Sequence, residues 1–298
     1  MKMPVIIAEI GSNFVTLEDG IAAIQEAAES GADAVKFQYF TEEELYGEGN
    51  KVPRLKPGWM LPLREHAHLC GIKFGITAFS QEGVDRVSPI VDFYKLASAE
   101  NNMVFNYPRN IPRIISTGGS DFKEIEKIVE ANRLGENDCI MYCVAAYPAR
   151  REDYDLSNLM ILKKQFPYLK IGLSDHTETE ELAQNAALFG IDYIEKHFRP
   201  SRTQPDSPDY PHSIPSDLFM AMVVGIHSGN FNYSLPDCEA SFIRCHKRGI
   251  KRIGNQLKIV RPWNPIAGKW SPIDKNISDP TIMEVLKDGE FLTRFNYN

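Results

Sequence analysis

The chain has 298 residues, 43% hydrophobic and 24% charged, the composition of a soluble globular protein with one large domain and room for a small second one. Its formal charge of −7 argues against nucleic-acid or acidic-membrane partners, yet leaves room for a local basic pocket. Five irregularly spaced cysteines read as reduced thiols, no apolar run is long enough to span a bilayer, and the opening Met1-Lys-Met-Pro has no signal-peptide pattern, so a cytoplasmic location is expected.

Short apolar strands alternate with amphipathic helices along the chain. Strands are expected over residues 5–11, 34–40, 73–79, 93–98, 113–118, 139–145, 170–175 and 193–198. Helices are expected over 17–30, 122–134, 156–166, 178–189 and 216–230. Ile21, Ile24, Ala27 and Ala28 mark one helical face, and Ile125, Ile128 and Val129 another. Ser120 and Asp121 offer a cap, and Gly31, Gly71, Gly135 and Gly190 stand where helices should stop. Residues 42–57 are polar, hold two glycines and read as a long active-site loop; residues 101–112 hold two prolines and at most a short helix. Eight strand–helix units predict an α/β protein with a (β/α)8 TIM barrel over 1–231, and residues 232–298 follow as a short C-terminal appendage or lid.

Strands point alternate residues to opposite faces, so Lys36 shares a face with Gln38, Ser174 with His176, and Glu195 with His197. Active sites in such barrels lie at the C-terminal ends of the strands. His176 and His197 end adjacent strands and can hold a divalent metal with positions left open for substrate. Lys36 and Lys95 end the second and fourth strands and point inward, where a lysine needs an anionic partner or a depressed pKa. Two readings follow: internal salt bridges with Glu9 or Glu100, or an anionic substrate carrying phosphate and carboxylate. Thr77, Ser98, Ser116 and Ser174 supply hydroxyls at similar depth. Lys95 alone would also suit a Schiff-base aldolase, but the histidine pair favours a metal mechanism. Cys238 and Cys245-His246 fit no standard zinc spacing and read as packing.

Several strings occur in order: Ile6-Ile-Ala-Glu-Ile-Gly-Ser-Asn13, Gly31-Ala-Asp-Ala-Val-Lys-Phe-Gln38, Tyr94-Lys-Leu-Ala-Ser-Ala-Glu100, Ser116-Thr-Gly118 and Tyr147-Pro-Ala149. Gly172-Leu-Ser-Asp-His-Thr177, Ile194-Glu-Lys-His-Phe198 and Pro208-Asp209 with Ser213 complete the series. Together they resemble the N-acetylneuraminate (sialic acid) synthase family over residues 4–222. The resemblance implies condensation of phosphoenolpyruvate with an open-chain N-acyl amino sugar, N-acetylmannosamine-like, to give a 2-keto-3-deoxy sugar acid and phosphate. It implies that His176 and His197 hold the metal, manganese with magnesium or cobalt as alternatives. Lys36, Lys95, Thr77, Ser98, Ser116 and Ser174 would hold phosphoenolpyruvate. Gln38, Glu100, Tyr147 and Asp209 would line the sugar side together with Glu9 and Glu195, either of which could manage protons. A homodimer is implied as well.

Three departures stand out. Phe14 occupies a position usually held by histidine, Val144-Ala-Ala146 lacks the polar residue expected ahead of Tyr147, and the family's C-terminal antifreeze-like domain is not recognisable around Arg248, Arg252 and Arg261. They alter the sugar side, so the same chemistry on a different aldehyde, or a non-catalytic barrel that binds a sugar or a partner, stand as alternatives.

Overall fold

The computed structural model describes residues 3–41, 44 and 52–228, and within the C-terminal region 249–253, 255–264, 269–277 and 291–292. The chain divides into two compact units, Met1–Phe231 and Asn232–Asn298. In the first, eight parallel strands run in sequence order: β1 (Val5–Gly11), β2 (Ala34–Tyr39), β3 (Lys73–Ala78), β4 (Phe93–Leu96), β5 (Arg113–Ser116), β6 (Cys139–Cys143), β7 (Lys170–Asp175) and β8 (Tyr193–Arg199). Pairing of β1 with β8, Glu9 beside His197, closes the sheet into a TIM barrel.

Period-two alternation explains the closure. Ile6, Ala8, Val35, Phe37, Ile115 and Ile140 face the helices, whereas Ile7, Ala34, Phe93, Ile114, Cys139 and Met141 form a separate apolar plug inside the barrel. Gly75 belongs to this inner layer, since a β-carbon there would overlap the Phe93 ring. Two residues farther along the same inward face the plug gives way to Glu9, Lys36, Lys95 and Ser116, so apolar floor and polar mouth follow from one periodicity.

The outer ring is α1 (Leu17–Glu29), α2 (Met60–Leu69), α3 (Gln81–Val87), α4 (Phe122–Ala131), α5 (Ser157–Gln165), α6 (Glu181–Ala187) and α7 (Ser216–Ser228). Thr16 with Asp19 and Asp121 with Glu124 form capping boxes that set where α1 and α4 begin. After β4 the helix is replaced by a 3-10 turn, Ser98–Glu100, in keeping with the proline-bearing 101–112 segment.

Five strands are shorter than the sequence predicts, β2 and β3 by one residue and β4, β5 and β6 by two. After β5, the Gly118 N–H donates to Ser98 Oγ (3.1 Å), and after β6 the Val144 carbonyl turns to accept from Ala146 N and face His176. Polar residues at the mouth thus divert backbone groups from the ladder. Helix α6 starts later than expected because Thr177 folds back onto the Asp175 carboxylate by its N–H and hydroxyl, both at 2.8 Å.

A short strand β9 (Ile214–Pro215) pairs with the end of β8, Phe198 opposite Ile214. It returns the loop after β8 to the barrel mouth. In the second unit, β10 (Gly249–Ile253), β11 (Gln256–Asn264), β12 (Lys269–Ile277) and β13 (Phe291–Leu292) form an antiparallel sheet ordered β12-β11-β10-β13. Most of the expected 42–57 loop, Arg248, Cys238 and Cys245-His246 lie outside the described residues, as do the side chains of Arg252 and Arg261. No helix among the described residues is long and apolar enough to cross a membrane.

Candidate active site

A cavity of about 300 Å³ opens at the C-terminal mouth of the barrel, and every site residue singled out in the sequence lines it. At its floor Lys36 Nζ donates to Thr77 Oγ1 (2.9 Å) and pairs with Glu9 Oε2 (2.7 Å), while Gln38 Nε2 donates to Glu9 Oε1 (2.7 Å). Lys95 Nζ donates to Ser116 Oγ (2.7 Å) and lies 3.4 Å from Glu195 Oε1. Glu195 stands between the two cations, 3.8 Å from Lys36 and accepting from Ser174 Oγ at 3.0 Å. Lys36, Lys95, Glu9 and Glu195 are each 4% exposed or less.

Of the two internal partners open to the lysines, Lys36 takes Glu9. Lys95 takes Glu195 from across the barrel rather than Glu100, which sits past the end of β4 in the 3-10 turn. Glu100 is half-buried, and burial raises its pKa above the ordinary carboxylate value.

Burial pushes Glu195 upward, but Lys36, Lys95, His197 and the Ser174 hydroxyl outweigh it and hold its pKa down to about 2. Burial likewise works against charge on Lys36, and Glu195 and Glu9 more than compensate, so its pKa is raised. Lys36 is thus a charged donor held in place by carboxylates, the pairing that a buried cation requires. The lining sets two lysines against four carboxylates, Glu9, Glu100, Glu195 and Asp209. A multiply charged anion needs additional positive charge to settle there.

That charge has a place at the rim. His176 Nδ1 faces the Val144 carbonyl at 2.8 Å, and a carbonyl only accepts, so Nδ1 carries the proton and Nε2 keeps its lone pair. Burial and the neighbouring His197 keep this imidazole neutral, with its pKa well below the usual value. The His176 and His197 ring centroids are 5.4 Å apart, and Tyr147 covers His176 at 4.1 Å. Asp209 Oδ1 lies 3.4 Å from His197 Nδ1 and 2.9 Å from His212 Nε2. His197 Nδ1 is buried and has no hydrogen-bond partner, the kind of orphaned donor atom a bound cation satisfies. Imidazoles with a carboxylate suit manganese-type ions, so the residues present fit a divalent metal.

His212, Ser12 and Cys143 also line the cavity and are not among the residues singled out from the sequence. His212 had a signal, a histidine three residues after Asp209 in a proline-bearing loop, but loop residues carry no periodicity to aim them. Ser12 Oγ donates to Asp209 Oδ2 (2.6 Å), and Cys143 Sγ lies 3.9 Å from both His176 ring nitrogens. A second cavity of about 690 Å³ adjoins the first, sharing Ser98, Ala99 and Tyr147 and lined also by Asn101, Ala145 and Lys127.

The NeuB family model matches residues 23–232. The chain is 32% identical over 247 residues to the spore coat polysaccharide biosynthesis protein SpsE of Bacillus subtilis, covering 74% of this chain and 66% of that protein, just under two thirds. It is 31% identical over 253 residues to a pseudaminic acid synthase of Campylobacter jejuni, covering 74% of this chain and 72% of that one. Its fold matches the crystal structure of an N-acetylneuraminic acid (sialic acid) synthetase from Leptospira borgpetersenii in complex with citrate, with a TM-score of 0.67 and 25% identity, over 81% of this chain and 90% of that one. On the matched barrel, the chain belongs to the NeuB family.

Proposed function

We propose that the chain condenses phosphoenolpyruvate with the open-chain aldehyde of an N-acyl amino sugar, releasing phosphate and a sialic-acid-like 2-keto-3-deoxy sugar acid. The observation that carries the reading is the pair of buried lysines, each hydrogen-bonded to a hydroxyl and bridged by Glu195. Phosphate and carboxylate of one small trianion can take both ammonium groups, with Thr77, Ser116 and Ser174 as further donors. Relatives include a pseudaminic acid synthase and N,N'-diacetyllegionaminic acid synthases, whose names place them on amino-sugar acids.

Carbon 3 of phosphoenolpyruvate forms the new bond to the aldehyde carbon. Water then adds at carbon 2, and the bridging oxygen leaves with phosphate. Lys36 and Lys95 hold the anion at the floor, so its reactive carbon points up towards the histidine rim. A trianion drawing on both lysines weakens their hold on Glu195, whose proton affinity rises, and this makes Glu195 the group that accepts the proton of the attacking water. Glu9, already paired with Lys36 and Gln38, is the steadier counter-ion. A divalent cation, manganese by preference, supplies Lewis acidity towards the aldehyde oxygen. The residues at that rim able to hold it are His176, His197, Asp209 and His212. A homodimer belongs to the same reading.

Val144-Ala-Ala146 and the adjoining cavity at Ala145 favour an acceptor other than plain N-acetylmannosamine as a second reading. The test is incubation with phosphoenolpyruvate, manganese and a panel of N-acyl hexosamines, following phosphate release and product mass. Phosphoenolpyruvate carrying 18O at the bridging position should deliver the label to phosphate. No release with any aldehyde would leave only a non-catalytic binding barrel.

A further inference from the structure

We propose that Lys196 is a positioning residue: from the outer face of β8 its ammonium clamps the chain on either side of His176, and so sets how the His176 and His197 imidazoles stand to each other. The inference rests on the reading above for what the two histidines do; the clamp itself does not depend on it.

Asp175 and Lys196 belong to the strings Gly172–Thr177 and Ile194–Phe198, yet neither lines the cavity, whose lysines are Lys36 and Lys95. Alternation along the strands explains why. His176 and His197 turn inward with Ser174 and Glu195, so Asp175 and Lys196 point the other way, in line with Leu173, Ile194 and Phe198 of the apolar layer between barrel and helices. The two stand opposite one another in the β7–β8 register, and both are 0% exposed. Lys196 Nζ lies 2.9 Å from Asp175 Oδ2 and donates to the Thr177 carbonyl (2.6 Å) and to Thr177 Oγ1 (3.1 Å). One ammonium, from the residue before His197, thus holds the residues before and after His176.

His176 stands just past the end of β7 and is held by loop contacts. Its N–H donates to the Tyr154 hydroxyl (3.1 Å), and its carbonyl accepts from the Ala149 N–H (3.1 Å). Both partners come from the segment after β6, and Lys196 supplies the hold from the β8 side. A fully buried ion pair adds little to stability, because desolvation of both charges offsets their attraction, and apolar residues of similar volume often serve a fold as well. Apolar residues lack direction, however, and cannot donate to a carbonyl oxygen. Fixing the chain behind an imidazole is what keeps a ligand aimed.

Manganese(II) alone, titrated into the full chain and followed by loss of the free-ion electron paramagnetic resonance signal, reads the histidine pair, with urea unfolding measured beside it. Lys196→Met strands the Asp175 charge, so its urea midpoint should fall. Asp175→Asn combined with Lys196→Met removes both charges and keeps the acceptor for Thr177. Its midpoint should recover, while manganese affinity stays down by about tenfold or more. Leu159→Ala, buried in α5 and outside the cavity lining, should lower the midpoint and leave the affinity unchanged. Wild-type affinity in the double variant, or an equal loss of affinity in Leu159→Ala, overturns the proposal. Hydrogen exchange reads the clamp without any ion. In the double variant the backbone over 172–178 should exchange about tenfold faster, the effect of losing one charge-assisted hydrogen bond, with the rest of the barrel unchanged. Acceleration spread evenly over the barrel, or none at all, also overturns the proposal. A wild type that binds no manganese, with exchange accelerated as expected, sinks the metal reading and spares the clamp.

Discussion

Gly11 lies directly against the carboxylate of Asp209, so close that a β-carbon on Gly11 would overlap it. Gly11 has a φ of +55°, in the left-handed region, and this lets the end of β1 bend around the aspartate and present the Ser12 N–H to it. The end of the first strand and the loop after the eighth are thereby joined at one carboxylate.

Gly11→Ala should therefore lower stability by about 1–3 kcal/mol, from backbone strain and displacement of Asp209. Urea unfolding measures it, and manganese affinity should fall with it. An unchanged unfolding midpoint would show that the loop can retreat freely.

Lys36 and Glu9 are a buried pair at 2.7 Å. Removing one partner strands the other charge, so Lys36→Met should cost about 3–5 kcal/mol, and Lys36→Met combined with Glu9→Gln should recover part of that loss. Neither variant should release phosphate. Equal destabilisation by the single and the double variant would mean that Glu195, not Glu9, is the partner that matters.

Tyr107 packs against Tyr94 with ring centroids 4.9 Å apart, and its buried hydroxyl has no hydrogen-bond partner among the described residues. Burial pushes its pKa well above the usual 10.0. The folded chain then keeps a proton that the unfolded chain sheds, so this group's contribution is complete below about pH 10 and is lost as the pH rises further, by up to about 1.4 kcal/mol per pH unit. Tyr107→Phe should flatten the alkaline limb of the stability curve. At pH 7 it should be neutral or stabilising by up to about 1 kcal/mol, because an unsatisfied hydroxyl is removed. Destabilisation at pH 7 would reveal a partner for that hydroxyl.

Ala145 lines the cavity beside the lysine site and stands ahead of Tyr147, where a polar residue is absent. Ala145→Asn adds one hydrogen bond to a sugar on that side, about 0.5–1.5 kcal/mol, so KM for N-acetylmannosamine should fall by roughly 2–12-fold. KM for phosphoenolpyruvate should stay within about twofold, since Ala145 is not at the floor and one added hydrogen bond is the only change. Steady-state kinetics with each substrate varied separately decides it.

Much of the barrel and its mouth was legible in the chain itself. A period of two places a residue on a known face, so Lys36 and Lys95 were assigned inward, Ser174 was set on one face with His176 and Glu195 with His197, and eight such strands imply closure. The helix start at Asp121 was readable from local capping chemistry.

Only the tertiary structure decided which of those groups meet. Lys95 finds Glu195 rather than Glu100 because barrel curvature carries β4 and β8 across the mouth towards each other, while Glu100 lies in the 3-10 turn, four residues past the end of β4. His212 joins His197 because β9 folds a loop back onto β8, and Asp209 is fixed by a glycine at the far end of the sequence. Periodicity sets the direction of a side chain within its own element. Closure and loop return set its distance from side chains elsewhere, and the chemistry of this site depends on those distances.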